Sequence, residues 1–384
     1  MFRRFLTIFL GAALLAAFQR PSAAASLDQL SKDVETLKKE NEDLKERVKT
    51  IEVKDEEDSY SEKKRVNISG YADVEYDYSS VSSNPDHFRV RHLSLFFSQD
   101  VQKQWKLFSE LEFEDAPLYN STTTQGQILL EQMYIQYKPS AEFEVSAGRV
   151  LTPAGLWLIY HYPPYVETQQ RPLHIRKIFP QYSDGLEVRR SFALGQSMLD
   201  VQAYVTNGTG NPGVNDADST KGIGVRLNLS ADLQKGKLEV GASYLSPDDT
   251  THIYQNSYGL HLKATSGPLR LQSEYAARQS MNPNFANAYW DTGFYVQGAF
   301  DIKKWTLVAR WDQYNGDGIY NGDGTLNLTN PVISDHRVYT AAVNYHLFHN
   351  VLTRFELHRH EFANPSQPNY YLGIASVILS LGDL

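Results

Sequence analysis

The sequence predicts an all-β protein, a 16-stranded antiparallel transmembrane β-barrel preceded by a short α-helical coiled coil. From residue 66 onward, runs of polar and apolar residues alternate with the period of half-exposed strands. Aromatic residues, 12% of the chain, cluster near the ends of these runs, as at the two interfaces of a membrane. Short turns alternate with long polar loops, which is typical of an outer-membrane barrel.

Residues 1–25 have the pattern of a secretory signal peptide. Arg3 and Arg4 precede a short apolar run, and the small residues SAAA, 22–25, provide a cleavage site. The run is too short and wrongly flanked for a stable membrane anchor. We therefore expect the protein to be exported from the cytoplasm.

Residues 26–54 predict a coiled-coil oligomerisation helix. Apolar residues and one asparagine recur at alternating spacings of three and four, which is a heptad pattern. A lone helix would leave this narrow stripe in water, so partner chains are expected, although a solvated charged helix is an alternative. The predicted oligomerisation contacts are Leu30, Val34, Leu37, Asn41, Leu44 and Val48. A charged linker, residues 55–65, follows.

The barrel is predicted over residues 66–384 by sixteen alternating runs. These runs are 66–79, 88–98, 105–114, 128–138, 142–149, 183–192, 198–206, 221–230, 237–245, 256–265, 268–278, 289–301, 304–314, 335–347, 350–360 and 369–381. Their polar faces carry many charged side chains, which the core of a soluble sandwich would not bury unpaired. A closed barrel also removes exposed sheet edges, which lipid does not tolerate.

A barrel of this size encloses water, because its side chains cannot fill the lumen. We therefore expect a channel for passive diffusion of small hydrophilic solutes. The alternative is a structural anchor that uses the coiled coil to bridge the outer membrane to the cell wall.

Other functional classes receive little support from the sequence. The chain has no cysteine, and it lacks GxSxG and HExxH motifs, so no enzyme activity, cofactor or metal site is predicted. Glu356, His358 and His360 share one strand face, which alone is a weak metal motif. Residues 315–324 contain carboxylates that could hold calcium, but Asn-Gly and Asp-Gly are also common turn formers. The net charge of −8 argues against nucleic-acid binding.

The stretch GRVLTPAGLWLIYHYPPY, residues 148–165, interrupts the strand pattern with an apolar, proline-rich run. A long segment this apolar needs a surface to bury against, and folding into the lumen would provide one. Packing outside against a neighbouring subunit is the alternative. The basic residues that follow it, and arginines on the inner strand faces, then predict a constriction with a modest anion preference. These residues are Arg171, His174, Arg176, Lys177, Arg189, Arg226, Arg270, Arg310 and Arg354.

Three stretches resemble the phosphate-selective porin O and P family of Gram-negative bacteria. They are FRVRHLSLFFSQDVQKQWKLFSELEFED from Phe88, FEVSAGRVLTPAGL from Phe143 and SDGLEVRRSF from Ser183. The resemblance matches Arg89 and Arg91 to the family's strand-two arginines. It matches Arg149 to the basic residue at the end of a family strand, which adds Arg149 to the expected constriction residues. No lysine cluster matches, and 45 acidic residues exceed 37 basic ones, so phosphate specificity does not follow while porin activity does.

The resemblance also implies a homotrimer with inward-folded loops. A coiled coil before the barrel is familiar among related trimeric porins. The expected location is the bacterial outer membrane, with the coiled coil in the periplasm. The expected partners are membrane lipid, lipopolysaccharide, and small anionic or neutral solutes, with no nucleic acid.

Overall fold

The computed structural model divides the chain into two units, Met1–Glu62 and Lys63–Leu384. It describes residues 34–46, 66–81, 86–119, 124–175, 177–207, 221–246, 254–281, 288–316, 335–364 and 367–382. The predicted signal peptide, residues 1–25, lies outside the described residues. The ends of the predicted coiled coil and the whole of the predicted linker, residues 55–65, also lie outside them.

The first unit contains one described helix, α1, over residues 34–46. The heptad residues Val34, Leu37 and Leu44 are exposed on it. Leu30 and Val48 lie outside the described residues. The helical part of the prediction is thus present, whereas pairing of α1 with other chains stays a prediction. Among the described helices, none combines the length and apolarity that a membrane crossing requires.

The second unit is a closed barrel of sixteen strands, each hydrogen-bonded in antiparallel fashion to the next, with β1 also pairing β16. This confirms the predicted fold class. The strands are β1 Asn67–Ser79, β2 His87–Gln102, β3 Trp105–Tyr119, β4 Thr124–Ser140, β5 Phe143–Leu151, β6 Tyr182–Leu194, β7 Ser197–Asn207, β8 Lys221–Leu233, β9 Gly236–Ser246, β10 Tyr254–Ser266, β11 Leu269–Met281, β12 Tyr289–Ile302, β13 Trp305–Gly316, β14 His336–Phe348, β15 Val351–Phe362 and β16 Tyr370–Leu381.

Alternation along each strand separates an apolar outer face from a polar inner face. On β13, Leu307 and Trp311 are exposed, whereas Arg310 and Asp312 are buried. β4 begins before the predicted position 128, and its pairing with β3 shifts register between Glu110 and Leu111 and between Glu114 and Leu118. Such bulges break the period of two on which strand prediction from sequence depends.

The core of the barrel lies inside its lumen. We call residues 152–181 the inner loop; all of it except position 176 is described. Its apolar side chains pack on the inner wall in one cluster. The cluster comprises Ala154, Trp157, Leu158, Ile175, Ile178 and Phe179 from the loop, and Tyr204, Leu245, Ala276, Tyr295 and Tyr314 from the strands. The apolar segment that interrupts the strand pattern is therefore buried within the barrel.

Candidate functional site

The first half of the inner loop binds the carboxylate of Glu274 on β11. The backbone N–H groups of Leu156 and Trp157 donate to its two oxygens at 2.9 Å each. Tyr295 on β12 donates its hydroxyl to the same carboxylate at 2.8 Å. Gly155 adopts φ of 59°, and a Cβ there would lie 1.9 Å from Glu274 Oε2. Only glycine therefore fits this turn without displacing the carboxylate.

The middle of the inner loop binds Arg354 and Glu356 on β15. The Arg354 guanidinium donates to the Gln169 side-chain oxygen at 3.0 Å and to the Pro163 carbonyl at 3.1 Å. The Glu356 carboxylate accepts the backbone N–H of Gln169 and, at 3.5 Å, that of Gln170. Arg354 is fully buried beneath these contacts.

The second half of the loop packs against β11–β13. Leu173 N–H donates to Asp312 at 3.2 Å, and Arg310 donates to both Asp312 and the Thr168 hydroxyl. The ring of His174 stacks on Tyr295, with centroids 6.0 Å apart. Burial, together with the charges of Arg310 and Lys177, lowers the pKa of His174 to about 3, so this imidazole is neutral.

These contacts correct three of the predicted solute contacts. Arg310, Arg354 and His174 were expected to line the pathway, but the inner loop covers the two arginines and itself buries His174 against the wall. The physical reason is that a loop crossing a charged lumen exposes backbone groups that need partners. The inner-wall side chains supply those partners and are thereby removed from water.

Along β3–β7 the loop leaves a cavity of about 300 Å³. Its charged lining consists of Glu144, Glu187 and Arg189. Arg189 lies 3.5 Å from Glu144 and 3.4 Å from Asp200. The remaining lining includes Phe108, Gln132, Tyr134, Gln136, Ser146 and Gln202 from the wall and Pro153, Ile159 and Tyr162 from the loop.

The remaining predicted residues that the structure describes do not line this cavity. Arg226 is buried, and it donates to Gln202, which lines the cavity, at 3.0 Å. Arg171 donates to Gln181 at 2.7 Å. Arg270 donates to Glu167 at 3.1 Å. Lys177 is exposed, with its ammonium 4.2 Å from the ring centre of Tyr314. Arg176 lies outside the described residues.

Arg149 is a further correction, because it lies on the outer face of the barrel. The register pairs it with Met133 and Asp184, and Met133 is half exposed on the outside. Its guanidinium binds Asp184 through two hydrogen bonds, of 2.6 and 2.9 Å. The side chains of Val145 and Ala147, four and two residues earlier, already indicate an outward parity.

Sequence reasoning did not select Glu274 and Glu356 as residues that hold the loop. Both are buried on the inner wall, Glu274 on β11 and Glu356 on β15. Their partners are backbone N–H groups of the inner loop. Every residue except proline has such a group, so the pattern of side chains does not indicate which of them will contact a given carboxylate.

Comparisons with known proteins agree with this architecture. The sequence profile of the family described as Gram-negative porin matches residues 11–364. An anion-selective porin from Comamonas acidovorans superposes with a TM-score of 0.60 at 11% identity, over 83% of this chain and 99% of that one. The trimer form of OmpT, an outer membrane protein of Vibrio cholerae, gives a TM-score of 0.56 at 12% identity, over 82% and 99%. At such identities the likeness is one of fold.

One sequence relative is an uncharacterized protein of Aquifex aeolicus, 28% identical over 156 residues. The match covers 39% of this chain and spans only 34% of the length of that relative.

Proposed function

The chain belongs to the Gram-negative porin family, and from this premise we propose that it forms a water-filled channel for passive diffusion of small hydrophilic solutes. Family and fold indicate an outer-membrane channel rather than an enzyme. The observation that carries the proposal is the cavity of about 300 Å³ between the inner loop and β3–β7. Polar and charged side chains line much of it, as a hydrated path requires.

For selectivity we propose a weak charge preference in place of the modest anion preference expected from the sequence. That expectation depended on basic residues facing the pathway, and Arg189 is the one among them that lines the cavity. Glu144 and Glu187 line the same space. Mixed charges at one constriction produce opposing fields, so small anions and small cations both pass.

Phosphate selectivity is not part of this proposal. Arg89 and Arg91, which match the strand-two arginines of the phosphate-selective family, both bind Asp115, at 2.6 and 3.0 Å. Their charge is thereby compensated within the wall rather than presented to a passing anion.

We also propose a homotrimer, surrounded by membrane lipid and lipopolysaccharide, with the coiled coil in the periplasm. The Arg149–Asp184 pair supports an interface on the outer face of the barrel, because charged side chains facing lipid are destabilising. The exposed heptad residues of α1 support association through the helix.

Conductance across a planar bilayer tests the channel. Purified protein should give discrete steps, with a small reversal potential under a salt gradient. Arg189→Gln should shift that potential toward cations, and Glu187→Gln should shift it toward anions. Absence of steps would overturn the channel and favour the anchor function. Shifts of the same sign in both variants would refute the assignment of the constriction.

A further inference from the structure

The inner faces of β1–β4 carry a concentration of buried carboxylates. Each is at most 4% exposed, and they are Asp73, Glu75, Glu110, Glu112, Glu114 and Glu131. An ionised carboxylate removed from water is costly unless a hydrogen-bond donor, a cation or a metal compensates it. Each of these groups therefore needs an identifiable partner.

Two groups of three side chains in this region bring ligand atoms within 4.8 Å of one another. One group is Glu110, Glu131 and His161, and the other is His92, Glu112 and Glu114. Protein donors satisfy both oxygens of Glu110, since one accepts from Ser94 and the other from Gln132 and Tyr162. The first group therefore carries no argument for a ligand. In the second group, by contrast, one carboxylate oxygen lacks a hydrogen-bond donor.

We propose that His92, Glu112 and Glu114 bind a zinc ion. In the register of β2 and β3, His92 lies directly opposite Glu114. His92 Nε2 and Glu114 Oε1 are 3.8 Å apart. That separation is too long for a hydrogen bond, but a zinc ion about 2.0–2.2 Å from each atom would bridge it.

The unpartnered atom in this group is Glu112 Oε1. Glu112 is fully buried, and this oxygen has no hydrogen-bond partner among the residues that the structure describes. Its other oxygen, Oε2, accepts a hydrogen bond of 2.6 Å from Tyr71. The carboxylate is therefore held by one oxygen, while the other is buried without a donor, in a group whose ligand atoms lie within 4.8 Å of one another.

Surrounding side chains hold the other two ligands in the same way. His92 Nδ1 lies 2.9 Å from Asp73 Oδ1, so Nδ1 carries the proton and Nε2 presents its lone pair. A carboxylate on the second ring nitrogen is the usual support of a histidine that binds metal. Glu114 Oε2 accepts from Gln127 at 3.0 Å, which leaves Oε1 toward His92.

The composition of the group favours zinc over calcium or magnesium. One imidazole and two carboxylates form a mixed nitrogen and oxygen set, whereas the harder cations prefer oxygen ligands alone. Two carboxylates and a neutral imidazole carry a charge of −2, which one Zn²⁺ balances. The site would join β2 to β3 next to Tyr71, whose ring lies 5.9 Å from that of Tyr162 in the inner loop. This role is structural and does not depend on the diffusion function.

Zinc binding by the full barrel, refolded without a histidine tag and stripped with a chelator, tests the proposal. Elemental analysis after incubation with zinc chloride should find one zinc per chain. His92→Gln should abolish it, and Asp73→Asn should weaken it by about 10- to 100-fold. His261→Gln is the matched control, because His261 is a buried inner-wall histidine bound to Asn228 instead. It should bind zinc as the unmodified protein does.

Absorption spectroscopy of the zinc edge provides a readout that needs no variant. Nitrogen and oxygen neighbours with one imidazole would support the site. No stoichiometric zinc, zinc retained in His92→Gln, or a first shell without imidazole would overturn it. Equal competition by calcium at the same concentration would refute the assignment of the metal.

Discussion

Glu274→Ala tests whether the inner loop is held in place by its hydrogen bonds to the wall. The substitution leaves the N–H groups of Leu156 and Trp157 and the hydroxyl of Tyr295 without their acceptor. A buried donor left unsatisfied costs about 1–3 kcal/mol. The two backbone groups together therefore cost the docked loop about 2–6 kcal/mol, toward the lower end if a water fills the space.

Such a loss raises the ratio of undocked to docked loop by about 30-fold to 10⁴-fold, at about 1.4 kcal/mol for each factor of ten. An undocked loop widens the lumen, so single-channel records should show excursions to a higher conductance level. Glu361→Ala is the matched control, since Glu361 pairs with Arg359 on β15. Traces for Glu274→Ala that match both the control and the unmodified protein would refute the reasoning.

Three further outcomes are expected. Trp157→Ala should destabilise the docked loop by about 3–5 kcal/mol in a melting measurement, because Trp157 is buried in the lumen cluster. Trp311 is exposed, so Trp311→Ala should cost less in the same measurement. Loop opening should increase as pH falls from 6.5, because the pKa of His174 is about 3 when the loop is docked and the undocked imidazole gains a proton. At pH 5 this protonation favours the undocked loop by about 2 kcal/mol. His174→Gln should therefore flatten the pH profile of the conductance excursions. Deleting residues 26–60 should leave the conductance per barrel unchanged while lowering the trimer fraction in native mass spectrometry, because the barrel closes through β1 and β16 without that segment.

The barrel could be predicted from sequence because its signal is local. Each strand needs only alternation and a turn, and both are visible within one run. The inner loop could be predicted for a different reason. The apolar stretch that contains Leu156 and Trp157 is too long to remain exposed to water, and packing on the inner wall buries it.

Residue roles were harder to predict because they depend on which strands and loops meet. Arg149 was assigned by resemblance to a motif, although the alternation of its own strand places it outside. His92 and Glu114 are far apart in sequence, and only the register of β2 and β3 brings them together. The alternation of β15 predicts that Arg354 is exposed in the lumen, and only the structure shows that the inner loop covers it.

The contacts of the inner loop also constrain the order in which the molecule folds. Leu156 binds a residue 118 positions later, and Pro163 binds one 191 positions later. Contacts of such large sequence separation carry a loop-closure entropy cost that must be met before they stabilise the fold. We therefore expect the loop to dock late, after β11 and β15 have joined the sheet. A newly closed barrel would pass through a wide-bore intermediate, and docking of the loop would be the step that narrows it.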